Sequence, residues 1–317
     1  MPPMFVCILA IICIAALNFS EKLRVRGLNK FAFIWAIPAY LMIINICYNL
    51  YRFYPQNNLT TTQVVLANLS ILCLIPQVRK LIAYILPIDP QNRLHAAILS
   101  ISISALSNLS LNTDINEGLR NVIESAKNKN DVAFIIDNWT MALFMVTISF
   151  LGVGIFVRRN WHESCRRLGL IKPKIDQVWR GALFAVGFLA LWTAIGYILE
   201  TIGYKDDPET TRLSKEYMAL YNKNIWSILT VGFAAGIGEE IMFRGALLPR
   251  LGIVYSSMLF AAMHTQYGIS FALLNVFMLG LICALVRYKY NTNTAIMMHA
   301  TSNILVAALH LLEPLLE

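Results

Sequence analysis

Apolar residues run through this chain in blocks of about twenty, the length a helix needs to cross a bilayer core of roughly 30 Å. The first block is Met1 to Phe19, followed by Lys22, Arg24, Arg26 and Lys30. Basic residues follow this block and do not precede it, which argues against a secretory signal peptide and places the N-terminus outside. Phe31 to Tyr51 returns to an almost uncharged loop around "PQNNLTTTQ". Val64 to Pro76 is apolar but short, a tilted or re-entrant span followed by Arg79 and Lys80. "AAILSISISALSNLSL", Ala96 to Leu111, alternates apolar residues with serine. Alternation suggests a strand, but between membrane spans it favours a helix with a hydroxyl-lined face; an amphipathic surface segment is the other reading. Asn112 to Asp131 is polar with Ile115, Leu119, Val122 and Ile123 at helical spacing, the pattern of an exposed amphipathic helix.

Val132 to Val157 is a clear span, and it ends in the densest basic loop, "RRNWHESCRRLGLIKPK". A solvated cytoplasmic face explains this loop more simply than a specific lipid site. Val178 to Leu199 spans back, and a loop of mixed charge covers Glu200 to Asn224. Four runs follow in quick succession: Ile225 to Leu248, Gly252 to Tyr267, Ser270 to Val286 and Thr294 to Leu312. The expected architecture is an all-α, polytopic membrane bundle of about 8–10 transmembrane helices, ten if both weak segments cross. With both termini outside, the most basic loops share one side with Arg250, Arg287 and Lys289.

Composition agrees. The 317 residues are 57% hydrophobic and 14% charged, against about 25% charged in soluble domains. The net charge of +8 gathers in short loops, as cytoplasmic loops of membrane proteins require, so nucleic acid is not an expected partner. Six cysteines form no C-x-x-C pair and five lie in apolar runs, which reads as small apolar residues without a disulfide framework or thiolate metal site. N-x-S/T sequons at Asn58, Asn68, Asn108 and Asn138 carry meaning only in a glycosylating organism.

Against this background "GIGEEIMFRG", Gly236 to Gly245, stands out. One charged side chain at a helix centre costs roughly 2.5–3.5 kcal/mol on insertion scales, so three unpaired ones would cost about 8–10. Glu240 and Arg244 are one turn apart and can pair. Glu239 is rotated about 100° from Glu240 and is left to face a cavity. Gly232, Gly236 and Gly238 allow close helix approach. Two further pairs at i and i+4 follow, Phe260 with His264 in "FAAMH" and His299 with Asn303 in "HATSN". Polar groups recurring on three neighbouring spans are explained by a catalytic site, by a proton-coupled transport pathway, or by a hydrogen-bond network that only locks packing.

The ordered motifs E-E-x-x-x-R, F-x-x-x-H and H-x-x-x-N resemble those of the CPBP family of intramembrane proteases. That family includes the eukaryotic CAAX prenyl endopeptidases and bacterial relatives, some linked to bacteriocin immunity. The matching residues are Glu239, Glu240 and Arg244 with Gly245 after them, Phe260 and His264, then His299 and Asn303. The resemblance covers Ile225 to Leu312, and "RRLGL" ahead of it is similar to the lead-in of bacterial members. It implies that Glu239 activates a water with help from His264, that His299 and Asn303 stabilise the oxyanion, and that Glu240, Arg244 and Phe260 support the site. It implies no cofactor. Two histidines and a glutamate could hold zinc, but there is no H-E-x-x-H and the family is read as metal-independent.

Two regions are expected: 1–175, N-terminal transmembrane helices of unassigned role, and 176–317, the catalytic membrane core. The expected partners are membrane lipid and a peptide or membrane-protein tail, prenylated if the source is eukaryotic. The extra N-terminal helices and "RRLGL" favour a bacterial plasma membrane over the endoplasmic reticulum. Glu239 is eleven residues from Arg250, about 16 Å along a helix, and His299 lies about 8 Å into its span. Both are thus expected to be reached from the basic, cytoplasmic side. A non-catalytic scaffold or immunity protein of the same fold remains the alternative to the protease, beside the transporter.

Overall fold

The computed structural model describes residues 4–52, 61–106, 115–127, 129–203, 207–221 and 223–312. Among these the chain is all-α; the one strand-like pairing is an isolated bridge between Ile155 and Arg159. The helices are α1 (Met4–Val25), α2 (Asn29–Arg52), α3 (Thr61–Ile71), α4 (Pro76–Ile82), α5 (Arg93–Leu106), α6 (Ile115–Lys127), α7 (Asp131–Val153), α8 (Trp161–Leu168), α9 (Ile175–Thr201) and α10 (Pro208–Ala219). They continue with α11 (Ile225–Glu240), a π-helical segment (Ile241–Leu247), α12 (Leu248–Leu251), α13 (Ile253–Ala262), α14 (Phe271–Lys289) and α15 (Thr292–Leu312).

Five helical stretches are long and apolar enough to cross a membrane among the described residues: 29–48, 131–153, 175–201, 225–251 and 271–289. This makes the protein an integral membrane helical bundle, with fewer self-sufficient spans than the expected 8–10. Besides α1 and α15, which have 22 and 21 residues and are not among these five, the difference lies in segments whose apolar runs are broken. α3 has 11 residues, α5 has 14 and α13 has 10, so they reach about 16, 21 and 15 Å at 1.5 Å per residue. α5 is a helix, but its buried serines lie on different sides about 200° apart: Ser100 Oγ donates to Ser70 Oγ at 3.4 Å, and Ser102 Oγ is 3.0 Å from the Tyr255 hydroxyl. The span expected from Gly252 to Tyr267 stops at Ala262 and ends in a 3-10 turn, Thr265–Tyr267. Much of the "PQNNLTTTQ" loop and residues 107–114 lie outside the described residues.

The centre of the bundle is α11, held between α15 and α7, with α9 behind α15. Its glycines explain the fit. A Cβ on Gly232 would come within 2.5 Å of Ile304 Cγ1, and one on Gly236 within 3.1 Å of the Ala300 Cβ. One on Gly238 would meet the Ala142 backbone on α7 at 2.9 Å. Small residues four apart thus seat α15 against one face of α11, and Gly238 seats α7 on another. α11 starts where Asn224 accepts the Ser227 amide at 3.0 Å.

The lead-in segment has a structural place. Asn160 and Glu163 close a capping box at the start of α8, and Gly169 ends the helix with φ 71°. The following turn docks on the start of α15, where Thr292 Oγ1 donates to the Leu168 carbonyl at 2.5 Å and Thr292 N to the Gly169 carbonyl at 3.0 Å. A Cβ on Gly169 would strike the Arg287 guanidinium at 2.2 Å. These contacts gather α8, the end of α14, the start of α15 and Arg250 at one end of the bundle, the arginine end. α10 and α6 belong to the opposite end. α6 is an amphipathic helix with an exposed polar face, including Glu117, Arg120 and Glu124, and its apolar face is covered: Leu119 and Ile123 pack with Leu213 and Tyr217 of α10. The residues expected as a mixed-charge loop after Leu199 are the end of α9 and α10.

Candidate active site

Glu239 and Glu240 close α11. Directly after them the backbone widens into the π-helical segment, which carries Arg244. Such turns are rare and concentrate at functional sites. Glu240 and Arg244 are both fully buried, with Arg244 Nη1 at 3.0 Å from Glu240 Oε1. Arg244 Nη2 donates to the Gly280 carbonyl at 2.9 Å. The guanidinium lies 4.4 Å from the centroid of the Phe260 ring, a cation–π contact strengthened by desolvation.

Phe260 is the pivot of the cluster. Its ring centroid is 4.8 Å from that of His264 and 5.8 Å from that of His299. His264 follows the end of α13, and its Nδ1 is 2.9 Å from the Phe260 carbonyl. A carbonyl only accepts, so that bond places hydrogen on Nδ1 and leaves Nε2 as an acceptor. His299 is buried on α15, with Nδ1 at 2.8 Å from Glu240 Oε1 and Nε2 at 3.8 Å from Glu239 Oε2. The two glutamates, separate on the helix, therefore meet at the two nitrogens of one imidazole. Asn303 is less tightly held: its Nδ2 is 3.4 Å from the Val231 carbonyl.

Glu239, Phe260, His264, His299 and Asn303 all line one cavity of about 440 Å³. Glu239 Oε2 is buried and has no hydrogen-bond partner in the protein, the condition of a carboxylate that serves a solvent molecule or ligand. Glu240 and Arg244 do not line the cavity; they stand behind it. Sequence reasoning missed the rest of the wall. Tyr217 and Tyr221 come from α10 and the turn after it, Tyr267 and Gln266 from the 3-10 turn. Tyr221 donates to the Tyr217 hydroxyl at 2.7 Å, and the Tyr267 ring stacks parallel to that of His264, 7° from coplanar. Asn138, Asn275 and Ser302 also line it, and Ser302 Oγ has no partner. Tyr267 lies three residues beyond His264, the one local signal that could have found this group.

The direction of the cavity departs from expectation. On α11 its lining runs from Glu239 back to Val231, on α14 from Leu279 back to Ala272, and on α15 from His299 on to Ala307. All three lead away from the arginine end and toward α6 and α10. Depth along a helix was legible in the sequence, but depth does not say from which end a site is reached. The lining extends away from Arg250, Arg287 and Lys289 and not toward them. Among the described residues no three His, Cys, Asp or Glu side chains are grouped so as to hold a metal ion.

The order and spacing of these residues agree with one further finding. Residues 221–305 match the family model for Rce1-like type II CAAX prenyl endopeptidases. The matched segment is thus similar to the CAAX protease family that the motifs resemble, and it contains Glu239, Glu240, Arg244, Phe260, His264, His299 and Asn303, though not Tyr217 of the cavity wall. The match supports a membrane protease with a membrane-associated peptide or protein as substrate. No curated protein and no solved structure matches the chain.

Proposed function

We propose that this protein is an intramembrane endopeptidase that hydrolyses a peptide bond with a water activated by Glu239. The observation that carries the reading is the orphaned, buried Oε2 of Glu239, facing a cavity beside His264 and His299. Glu239 takes a proton from water while the resulting hydroxide attacks the scissile carbonyl carbon. His264, with hydrogen on Nδ1, offers Nε2 as an acceptor that orients the same water. The carbonyl oxygen becomes an oxyanion within reach of the Asn303 amide, which has one N–H not spent on Val231, and of His299 Nε2. His299 Nδ1–H is given to Glu240, so Nε2 donates only when the ring carries both hydrogens. Glu239 then returns its proton to the leaving amine as the C–N bond breaks. Glu240 and Arg244 act on the reaction through His299, as positioning residues.

No cofactor enters this scheme. The cavity wall of Phe188, Leu279, Val306 and the tyrosines suits an apolar side chain or lipidated tail on the substrate. The arginine-rich end belongs in the cytoplasm by the charge rule. The test is proteolysis of membrane-protein extracts by wild type and Glu239→Gln. Loss of cleavage in the variant, with unchanged folding, is expected; equal cleavage by both removes Glu239 from the mechanism.

A further inference from the structure

A second cavity, of about 190 Å³, lies at the arginine end between α1, α5, α7 and the π-helical segment. Four arginines line it: Arg158 and Arg159 from the turn after α7, Arg167 from α8 and Arg250 from α12. No carboxylate lines it, and none of the four has a carboxylate within 4.0 Å among the described residues. Glu21 and Glu163, the acidic groups nearest in influence, are already engaged. Glu21 pairs with Arg24 and accepts the Arg93 amide, and Glu163 accepts the Asn160 amide in the capping box.

The backbone turns these arginines inward. Gly154 has φ 95°, and Phe156 has φ 61°, a left-handed conformation that is uncommon for a bulky residue. The Gly154 carbonyl accepts from the amides of Arg158 at 2.8 Å and Arg159 at 2.9 Å. The Phe156 side chain gains nothing from this turn, being 85% exposed. The gain falls to its neighbours. Arg158 Nε donates to Asn18 at 2.8 Å, Arg159 Nη1 to the Val153 carbonyl, and Arg167 Nη1 to the Gly245 carbonyl at 3.2 Å. Each guanidinium has five donors, so most remain for the cavity. Arg250 has no hydrogen-bond or ion-pair partner among the described residues. Burial first, and then the neighbouring arginines, push Arg158 and Arg167 down to about 10, with Glu21 partly offsetting this at Arg158.

Of the other polar side chains on the wall, Asn92, His95 and Ser149, the histidine adds a donor. His95 is buried, and its Nδ1 accepts the Asp89 amide at 2.9 Å, so the neutral ring carries its hydrogen on Nε2. The other side of the cavity is apolar, with Ile14, Ile98, Ile148 and Met242. Its volume is below the roughly 300 Å³ of a typical small-molecule site, the scale of a headgroup rather than of a whole lipid or cofactor.

We infer that this cavity binds a phosphate group, with the arginines as bidentate donors and the apolar wall against the rest of the ligand. Arginine forks match phosphate oxygens in pairs, and basic pockets between transmembrane helices hold anionic lipid headgroups. The phosphate comes from an anionic phospholipid or from a soluble phosphate, sources the experiment separates. The solvated loop expected from "RRNWHESCRRLGL" is then in part a built site, because Arg158, Arg159 and Arg167 point into the protein.

The test uses the full chain in detergent, with thermal unfolding followed against short-chain phosphatidylglycerol, phosphatidylcholine of the same chain length, and inorganic pyrophosphate. A saturable rise in midpoint with phosphatidylglycerol and none with phosphatidylcholine is expected. A rise with pyrophosphate alone assigns the site to a soluble phosphate. Arg250→Gln should weaken binding about tenfold, roughly 1.4 kcal/mol, without harming the fold, since Arg250 makes no contact that holds it. Arg250→Lys keeps the charge but loses the fork and should fall between. Lys172→Gln, exposed and outside the cavity, should leave affinity unchanged. No saturable response to either anion, or Arg250 variants that bind as tightly as wild type, would overturn the inference.

Discussion

Replacing Glu240 by glutamine tests whether the buried ion pair holds the site together. The substitution keeps size and shape and removes one charge from a pair in which both side chains are at most 1% exposed. Arg244 is left with the Gly280 carbonyl and the Phe260 ring as its partners. Breaking a buried pair from one side costs about 3–5 kcal/mol, because the remaining charge is stranded. The bond to His299 is also weakened, and hydrogen bonds to charged groups contribute about 1.5–3 kcal/mol. The two losses share one carboxylate oxygen, Oε1, so they do not add. A total near 4 kcal/mol is expected. The double variant Glu240→Gln, Arg244→Met removes the stranded charge and should regain a large part of that, because an apolar replacement of a buried pair is often neutral or better. Both are measured as unfolding free energies in mixed micelles, with Glu239→Gln as the contrast. That last change touches no close ion pair and should cost under about 1 kcal/mol. A loss below about 1 kcal/mol for Glu240→Gln, or a double variant no more stable than the single, would refute the argument.

Further outcomes follow from other contacts. Gly232→Leu, whose Cβ would meet Ile304 at 2.5 Å, should part α11 from α15 and abolish both yield and activity; normal expression with full activity would show that the interface yields. With the native cysteines replaced, single cysteines at Ser214 and Asn275 should react with impermeant reagents from one side of the membrane and a cysteine at Arg250 from the other. Labelling of all three from the same side would contradict the one-ended cavity. Purified protein should carry far less than one equivalent of zinc by elemental analysis, and chelators should leave cleavage unaffected; stoichiometric zinc lost with activity would return His264 and His299 to a metal site.

The sequence was most legible where the membrane penalises deviation. Glu239, Glu240, Arg244, His264 and His299 each stand out because a charge or imidazole in an apolar run demands a partner, and helical spacing then placed Glu240 against Arg244. The same spacing could not show that His299, 59 residues away, joins the two glutamates, because that contact depends on how closely Gly232 and Gly236 let α15 approach. Nor could it show the tyrosines. Tyr217 and Tyr221 sit in a stretch of mixed charge whose pattern reads as a loop, and they reach the cavity only because α10 folds over it with α6. The arginines misled for a related reason. A run of basic residues in a short loop looks solvated by composition, while its direction is set by two left-handed residues that only the backbone reveals.

The π-helical segment has two customers. Its buried residues, Ile241, Phe243, Arg244 and Gly245, face the packed side on which Arg244 meets Glu240. Met242, Ala246 and Leu247, with Arg250 just beyond, face the arginine cavity. Seven residues therefore serve as a partition, with the candidate active site on one side and the candidate phosphate site on the other. The partition is phased by its extra residue per turn. Removing that residue would let the segment relax to an α-helix, leaving the flanking helices near their present phase while side chains within it, Arg244 among them, turn about the axis relative to both. Deleting Ala246 should thus silence cleavage and anion binding together, whereas Arg250→Gln should reach only the second. A deletion variant that keeps either function would show that the two rooms do not share this wall.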